Sequence, residues 1–535
     1  MMKRNFLWNI AYSLILILLL AGEALTVATL VRLDMLPVPY LAAIAAVFGL
    51  FAILVGYLFF SRGKRSGKGK RVIACVLSVL LVCGCAAITT VAFDVMDTLA
   101  ATSEEPETPA VTREVYVLSG TEGDELIDLY GYTIGYVKNF DEDCTNQVFD
   151  AIKQKTKEDV ISAGFTNMFT MVDALMAGKI DAMVLNGGYL SILEDDEAYM
   201  DFSEKVRILA QVEVVESGDA MSGLWNPEVE EVPSEPLETE PTEPEETTEP
   251  TEEDEVDEED FTTLKPFVVY ISGSDTRSKT LNNKTRSDVN ILAAVNPMTK
   301  QVVLINTPRD YYVSTTASSS GAKDKLTHCG IYGIDCSMKT LGKLYDQKVK
   351  YYVKINFTGF EKVIDAIGGV TVKSDYAFTL YQGVGKIKVG NNKLNGKQAL
   401  AFARTRKGLS GGDNQRGKHQ MEVIRAVIKK ATSGTTVIKN YNKIMKSIDG
   451  MFTMSIPTKT INTMMKMQLS DMAQWNVVSY SATGTNTQAI CYSMPSMKLS
   501  VVQPNSSSVK KATLLMDMVL SGEILTEEVV DGITG

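Results

Sequence analysis

Three apolar runs fill the first hundred residues, at about Phe6 to Val31, Met35 to Phe60 and Val72 to Phe93. Each exceeds the ~20 residues that cross the hydrocarbon core of a bilayer as a helix. Glu23 is the one acidic residue inside them. Helices apolar all round belong in a membrane or a very large core, so a chain that begins this way is not a single soluble globule. A secretory signal would be one shorter run. Lys3 and Arg4 precede the first run, and Arg62, Lys64, Arg65, Lys68, Lys70 and Arg71 fill the loop before the third, whereas the intervening loop carries only Arg32 with Asp34. Positive residues stay on the cytoplasmic side, so the expectation is an amino terminus inside and everything after about residue 97 outside. The competing reading, a lipid-modified cysteine in Val82-Cys-Gly-Cys85, is disfavoured by the two spans before it.

Charge divides the rest of the chain. The net charge is −12, yet residues 226–262 are almost entirely Glu, Asp, Pro and Thr. Such a segment cannot bury enough apolar surface to fold, and reads as an extended, self-repelling linker. From Lys265 onward 36 Lys and Arg face 18 Asp and Glu, a balance of +18. A basic domain outside the membrane suits anionic lipid headgroups or phosphorylated glycans. Nucleic acid, the usual partner of such charge, lies in the wrong compartment. Cysteine constrains less. Cys75, Cys83 and Cys85 fall in the third span, and Cys144, Cys329, Cys336 and Cys491 lie beyond it. Cys329 and Cys336 are near enough in sequence to pair in an oxidising exterior. With two histidines in the chain and no paired CxxC, a structural zinc site is not expected.

Two folded units are expected beyond the membrane. In residues 111–215 a strand-like Tyr132 to Val137, a helix-like Thr145 to Gln154, an amphipathic Met168 to Met176 and the run Gly178 to Leu185 alternate strand with helix. That pattern argues a small α/β accessory domain with a parallel sheet. Its "IGYV", "MVDALMAGKIDAMVLN" and "YLSIL" runs resemble one lobe of a periplasmic solute-binding protein. A full binding protein clamps its ligand between two lobes, so an accessory or dimerisation role is the simpler implication of one. In residues 265–523, Phe267 to Ser272, Val289 to Val295 and Gln301 to Asn306 read as buried strands, with Asn296-Pro-Met-Thr as a turn. Lys339 to Tyr345, Phe360 to Ile367 and His419 to Ala431 read as helices, and Gly369 to Val372 as a strand. The fold class expected is therefore α/β: three amino-terminal membrane helices, a small α/β domain and a carboxyl-terminal α/β domain with a central sheet.

Around those strands stand charges that a buried sheet does not need. Gly273-Ser-Asp-Thr-Arg277, Arg286-Ser-Asp288 and Pro308-Arg-Asp310 set three Asp and three Arg at strand ends. An ionised group in an apolar setting costs several kcal/mol unless it is paired or bound. In Ala399 to Arg406 an extended chain would turn Arg404 and Arg406 to one side. Arg416 and Gln420, four apart at a helix start after Ser410-Gly-Gly412 and Asp413, share a face near the positive end of the dipole. Guanidinium matches the spacing of phosphate oxygens, so Arg with Asp at strand ends suits a site for a metal and a phosphate.

The succession "GSDTR", "RSDVNILAAVNPMTKQVVLINTPRD", "KLTH", "LNGKQALAFARTR" and "GDNQRGKHQ" resembles the LytR–CpsA–Psr family of Gram-positive cell-wall proteins, in order and across the whole second unit. The resemblance implies a membrane-anchored transferase that moves a phosphorylated glycopolymer from a polyprenyl pyrophosphate carrier to peptidoglycan, making a phosphodiester at the muramic acid 6-hydroxyl. By motif position it implies Mg²⁺ on Asp275 and Asp288, and pyrophosphate on Arg286, Arg309, Arg404, Arg406, Arg416 and Gln420. Phosphoryl transfer needs charge neutralisation more than a covalent nucleophile, and no Ser/His or Cys/His motif argues otherwise. Two Asp suit Mg²⁺, which completes its shell with water and phosphate oxygens. A carboxylate must also accept the proton of the attacking hydroxyl; Asp288 and Asp310 are both candidates. The carrier's tail needs an apolar cavity, for which Phe357, Phe360, Val363, Ile364 and Ile367 are candidates. His419 and Met421 depart from the family's Arg-Gln-Gln, leaving His419 as either a weaker, pH-dependent phosphate contact or none. His328, in the "KLTH" loop, reads as structural. A pyrophosphatase acting on the carrier, and a non-catalytic membrane-tethered sensor, are the alternatives.

Overall fold

The structure is a computed structural model and describes residues 2–61, 67–103, 110–138, 142–193, 198–199, 201–215, 264–274, 281, 285–318, 321–405, 412–433, 444 and 450–533. It divides into two compact units, Met1–Glu105 with Leu264–Gly535, and Pro106–Thr263. Asp275, Arg277 and Arg406 lie outside the described residues, as does the expected linker.

Helices α1 (Met2–Leu33), α2 (Val38–Phe60) and α3 (Gly67–Ser103) carry the three apolar runs. Trp8–Leu33, Val38–Phe60 and Gly69–Asp97 are long and apolar enough to cross a membrane. The second starts later than Met35 because Asp34 is left-handed (φ 53°) and Pro37 stands at the amino-terminal cap, where it pre-sets the helical entry. Tyr12, Leu19, Val55, Phe59 and Ala74 form the seam between the helices, while Leu14, Ile53 and Leu80 face outward. That inversion of a soluble protein suits a lipid surround.

In the second unit, strands β1 (Ala110–Leu118), β2 (Thr133–Val137), β3 (Ile161–Phe165), β4 (Ala182–Leu185) and β5 (Val206–Val215) form one sheet in the order β3-β2-β4-β1-β5. α4 (Glu142–Thr156) and α5 (Met168–Met176) cross over between parallel strands, packing Cys144, Val148 and Ile152 on one face and Met171, Val172 and Leu175 on the other. α6 (Gly187–Leu193) and α7 (Phe202–Lys205) lead into β5. The sheet is not wholly parallel as expected: β1 runs antiparallel to both β4 and β5. The link from β1 to β2 holds one short helical turn, Leu126–Leu129, and β4 lies between the two strands in the sheet.

The globular part of the first unit is built on β6 (Phe267–Ser274), β7 (Ser287–Asn296), β8 (Gln301–Asn306), β9 (Tyr312–Ser314), β10 (Lys323–Lys325), β11 (Val349–Asn356), β12 (Val370–Ser374), β13 (Phe378–Thr379), β14 (Lys386–Ile387), β15 (Gly390–Leu394), β16 (Phe452–Met454), β17 (Asn476–Ser481), β18 (Gly484–Cys491) and β19 (Met494–Pro504). Its helices are α8 (Leu326–Cys329), α9 (Ile334–Tyr345), α10 (Phe357–Ala366), α11 (Gly396–Arg404), α12 (Gly412–Thr432), α13 (Thr458–Asp471), α14 (Ser506–Ser521) and α15 (Glu527–Gly532). Six strands make the central sheet in the order β16-β11-β6-β7-β8-β17. β11 is parallel to β6 and β17 to β8, while β7 runs antiparallel between β6 and β8. β6, β8, β11 and β17 therefore point one way, and their carboxyl ends share one edge of the domain. The three central strands are almost continuously buried, because helices cover both faces. Met421 and Ile424 of α12 pack on Val269, Ile291, Ala293 and Leu304, and α14 with α9 covers the other side. A second core joins α10, α11, β12, β15 and α12 through Ile364, Val370, Val372, Leu394, Phe402 and Val423.

One expectation about the site changes here. Residues 399–404 are helical, not extended, so the shared parity of Arg404 and Arg406 does not apply. Asn395 caps α11 by accepting from the Gln398 amide (2.9 Å) while the Gln398 side chain accepts from Asn395, and the Ala-rich run that follows propagates the helix.

Candidate active site

A cavity of about 1030 Å³ opens at the carboxyl ends of β6 and β11, walled by α10, α11 and α12. Strand ends of an open α/β sheet are where such folds place ligands. Arg286, Asp288, Arg309, Arg404, Arg416 and Gln420 all line it. The fold thus gathers six sequence-predicted residues, drawn from four stretches of the chain, around one space.

Each arrives by a local device. Asp288 sits where the β6–β7 register shifts, Gly273 facing Val289 and Ser274 facing Ser287, which leaves Asp288 as the extra residue of a bulge. Bulges re-aim a side chain, and this one turns a carboxylate into the cavity from a strand otherwise buried. Beneath it the Tyr270 hydroxyl donates to Asn290 Oδ1 (2.6 Å) and contacts Ser287 Oγ (2.7 Å), which in turn meets Ser272 Oγ (2.5 Å). A satisfied buried network of this kind rigidifies the strand ends. Arg309 follows β8 and donates from Nη1 to Asp288 Oδ1 (2.8 Å), with Nε 3.6 Å from Asp310 Oδ2. Asp310 is itself 3.9 Å from Lys325 Nζ and does not line the cavity. Of the two carboxylates weighed for proton acceptance, Asp288 faces the space and Asp310 backs Arg309.

Arg404 ends α11. Its guanidinium lies 4.3 Å from the Phe357 ring centroid and 4.8 Å from that of Tyr381. Tyr381 comes from the loop between β13 and β14 and is held by its backbone N–H, which donates to Thr405 Oγ1 (2.9 Å), while Thr405 donates to Ala401 O (2.7 Å). Arg416 and Gln420 lie one turn apart on α12. A Cβ at Gly417 would collide with the Asn306 side-chain amide, so the glycine lets α12 close directly on the end of β8. The opposite wall is apolar: Phe357, Phe360, Val363, Ile364, Leu400 and Val427. Ile367, the fifth residue expected there, is buried in the neighbouring core instead.

The two histidines are structural. His419 stacks on Phe402 (4.3 Å) and Phe378 (5.2 Å); its Nδ1 donates to Phe402 O (3.1 Å) and its Nε2 accepts from the Tyr376 hydroxyl (2.8 Å). Burial pushes its pKa down to about 4, the Phe402 carbonyl opposing, so near neutral pH it is an uncharged packing residue. It is absent from the cavity wall, and the pH-dependent phosphate contact is therefore not formed. His328 is fully buried against Asp324 (2.7 Å), whose carboxylate also accepts from the Ser493 amide (2.8 Å). Cys329 and Cys336 are free, buried thiols that both contact Thr315 Oγ1, at 3.4 and 3.5 Å.

Sequence reasoning missed Tyr381, Lys325 and Asn356. Lys325 stood in the "KLTH" run without a role, and Asn356, which caps α10 and lines the cavity, carried the ordinary signal of an amino-terminal cap. Tyr381 had no local signal. Among the described residues no group of three or more His, Cys, Asp and Glu gathers as a metal cage. Of these residues Asp288 is the one carboxylate that lines the cavity, and Mg²⁺ would fit there only with phosphate oxygens and water completing its shell.

The sequence profile of the LytR_cpsA_psr family matches residues 237–508, just over half of the chain. A polyisoprenyl-teichoic acid–peptidoglycan teichoic acid transferase TagU of Bacillus cereus is 34% identical over 191 residues, 36% of this chain and 60% of the relative. The protein of the same name from Bacillus subtilis is 37% identical over 175 residues, 32% of this chain and 55% of the relative. The chain thus spans less than two thirds of the curated relatives that it matches. The crystal structure of B. subtilis TagU aligns at 27% identity with a TM-score of 0.38, covering 49% of this chain and 100% of that one. With the profile spanning the basic α/β domain and its cavity, this chain belongs to the LytR–CpsA–Psr family.

Proposed function

We propose that this chain is a membrane-anchored, outward-facing phosphotransferase. It moves a glycopolymer from a polyprenyl pyrophosphate carrier to a hydroxyl of peptidoglycan; the relatives are named as transferases of teichoic acid from a polyisoprenyl carrier to peptidoglycan. The observation that carries the reading is the two-sided cavity, with Arg286, Arg309, Arg404, Arg416 and Asp288 facing an apolar wall of Phe357, Phe360, Val363 and Ile364. A pyrophosphate bonded to an isoprenoid and a sugar needs both surfaces within one ligand's length. The outward orientation is supported by the basic loop before α3, opposite the α1–α2 turn on which the globular domain packs.

In this mechanism the arginines bind the two phosphates and offset the charge spreading over the transferred phosphoryl oxygens. Asp288, held by Arg309, accepts the proton of the incoming hydroxyl. The hydroxyl oxygen bonds to phosphorus, the bridging P–O bond breaks, and polyprenyl phosphate leaves with the bond's electron pair. Asp288 and, by sequence position, Asp275 would hold Mg²⁺, which when bound neutralises part of the pyrophosphate charge. The apolar wall seats the first isoprene units and keeps water from competing.

The test is full-length protein in vesicles with Mg²⁺, a polyprenyl-pyrophosphoryl glycan and a peptidoglycan oligomer. Glycan joined to the oligomer, lost in Arg404→Ala and Asp288→Ala, is the expected result. Phosphate release without joining would make the protein a hydrolase, and no turnover would overturn the reading.

A further inference from the structure

The outer end of the membrane bundle is docked on the catalytic domain beside its cavity. Leu30, Leu33 and Met35 from the end of α1 and the following turn, with Ala92 and Val95 of α3, share one buried cluster with Met454 of β16. Val353, Phe452, Ile456 and Ile461 of the domain pack against it. Polar contacts ring the cluster. Asn462 Nδ2 donates to the carbonyl of Leu33 (3.0 Å), the last residue of α1, so a domain side chain caps a membrane helix. Lys466 Nζ reaches Asp34 Oδ1 (2.5 Å) at the same helix end, where the dipole also favours a cation, and the Tyr40 hydroxyl of α2 donates to Leu469 O (3.1 Å).

Two features make this more than proximity. β16 is the edge strand of the central sheet, and an exposed edge flanked by Phe452, Met454 and Ile456 would invite aggregation; the end of α3 covers it. Val353, on the neighbouring β11, belongs both to the cavity wall and to the packing against the docked helices. Val353 thus joins the wall of the cavity to the packing at the end of the bundle.

We propose that this docking face is a positioning interface that holds the cavity at the bilayer surface, so that a long-chain carrier enters while most of its tail stays among the lipids. The inference rests on the proposed carrier chemistry for its benefit, but the docking is testable without it. The membrane helices are then part of how substrate is presented, and not merely a tether through the acidic linker.

Two readouts separate these. Full-length protein carrying a protease site within residues 226–262, with Asp34→Cys and Lys466→Cys, is treated in vesicles with a short bismaleimide and then cleaved. The fragments are expected to stay joined on a denaturing gel in the double variant and to part in either single variant; separation in all three would overturn the docking. The second variant, Ala92→Arg, places a charge in the cluster from the membrane-helix side and leaves the domain's own core untouched. Turnover of a long-chain carrier in vesicles is expected to fall about tenfold or more, as misplacement far from the chemistry can do, while a short, soluble carrier is turned over as before. Equal rates on both carriers would overturn the positioning role. Absence of turnover on either carrier in the parent protein would instead sink the proposed function, with the crosslink still reading the docking.

Discussion

Replacing Tyr381 by alanine removes one of the two rings that sandwich Arg404. The ring is 40% exposed, so truncation costs little folding energy. Its contact with the guanidinium, 4.8 Å from centroid to carbon, is another matter. A cation–π contact at a partly exposed site is worth about 0.5–1 kcal/mol, or about two- to fivefold in affinity. The backbone bond from Tyr381 N–H to Thr405 Oγ1 survives the change, which isolates the ring's effect from the loop's position. Binding of a non-hydrolysable polyprenyl pyrophosphate analogue to full-length protein, followed by calorimetry, should weaken by that factor in Tyr381→Ala and recover in Tyr381→Phe. Unchanged affinity in Tyr381→Ala, or equal loss in Tyr381→Phe, would refute the idea that the ring orients Arg404.

Three other outcomes follow from the site. Asp288→Asn should lower turnover by about 100-fold or more, in the range of a lost general base, whereas Asp310→Asn, which acts through Arg309, should cost nearer tenfold; matched single-turnover assays compare them. His419 has a folded pKa near 4 against an ordinary 6.5, so the unfolded chain binds a proton that the fold resists. Its contribution is full above about pH 6.5 and declines toward pH 4, by at most about 3 kcal/mol. Urea melts at pH 7 and 4.5 should show a smaller decline in His419→Gln than in the parent, and an identical decline would remove His419 as the cause. Gly417→Ala pushes a methyl group toward the Asn306 amide that donates to Ser481 Oγ, and should destabilise by about 1–3 kcal/mol while weakening carrier binding through the neighbouring Arg416.

Legibility in the sequence tracked how local each cause was. The membrane helices were readable because lipid demands uniform apolarity, and β6 to β8 because helices cover both faces of the sheet. The helical state of 399–404 was readable too, since Asn395 and Gln398 spell a capping box, but the parity of Arg404 and Arg406 masked it. Asp288 could be named from its motif, whereas its aim into the cavity depends on a bulge against β6. Nothing local marks Tyr381, whose partner ring Phe357 lies 24 positions away and whose guanidinium lies 23 positions away on the other side. His419 departs from its family's arginine, and only the Phe378 and Phe402 rings around it explain why a neutral residue fits.

The cationic end of the cavity uses two unlike means of holding guanidinium groups close together. Arg309 is held by carboxylates, donating to Asp288 and lying near Asp310, so part of its work is to orient the acid. Arg404 is held by ring faces, and stacking engages the plane of the guanidinium while its N–H groups point along the edge. A lysine can replace the first arrangement in part, because an ammonium still pairs with a carboxylate. It cannot replace the second, which depends on a flat, delocalised cation. Arg404→Lys should therefore lose nearly as much analogue binding as Arg404→Ala, while Arg309→Lys should retain clearly more than Arg309→Ala. Titration of the four variants with one carrier analogue decides the matter, and equal retention by both lysine variants would mean that the rings around Arg404 only fill space.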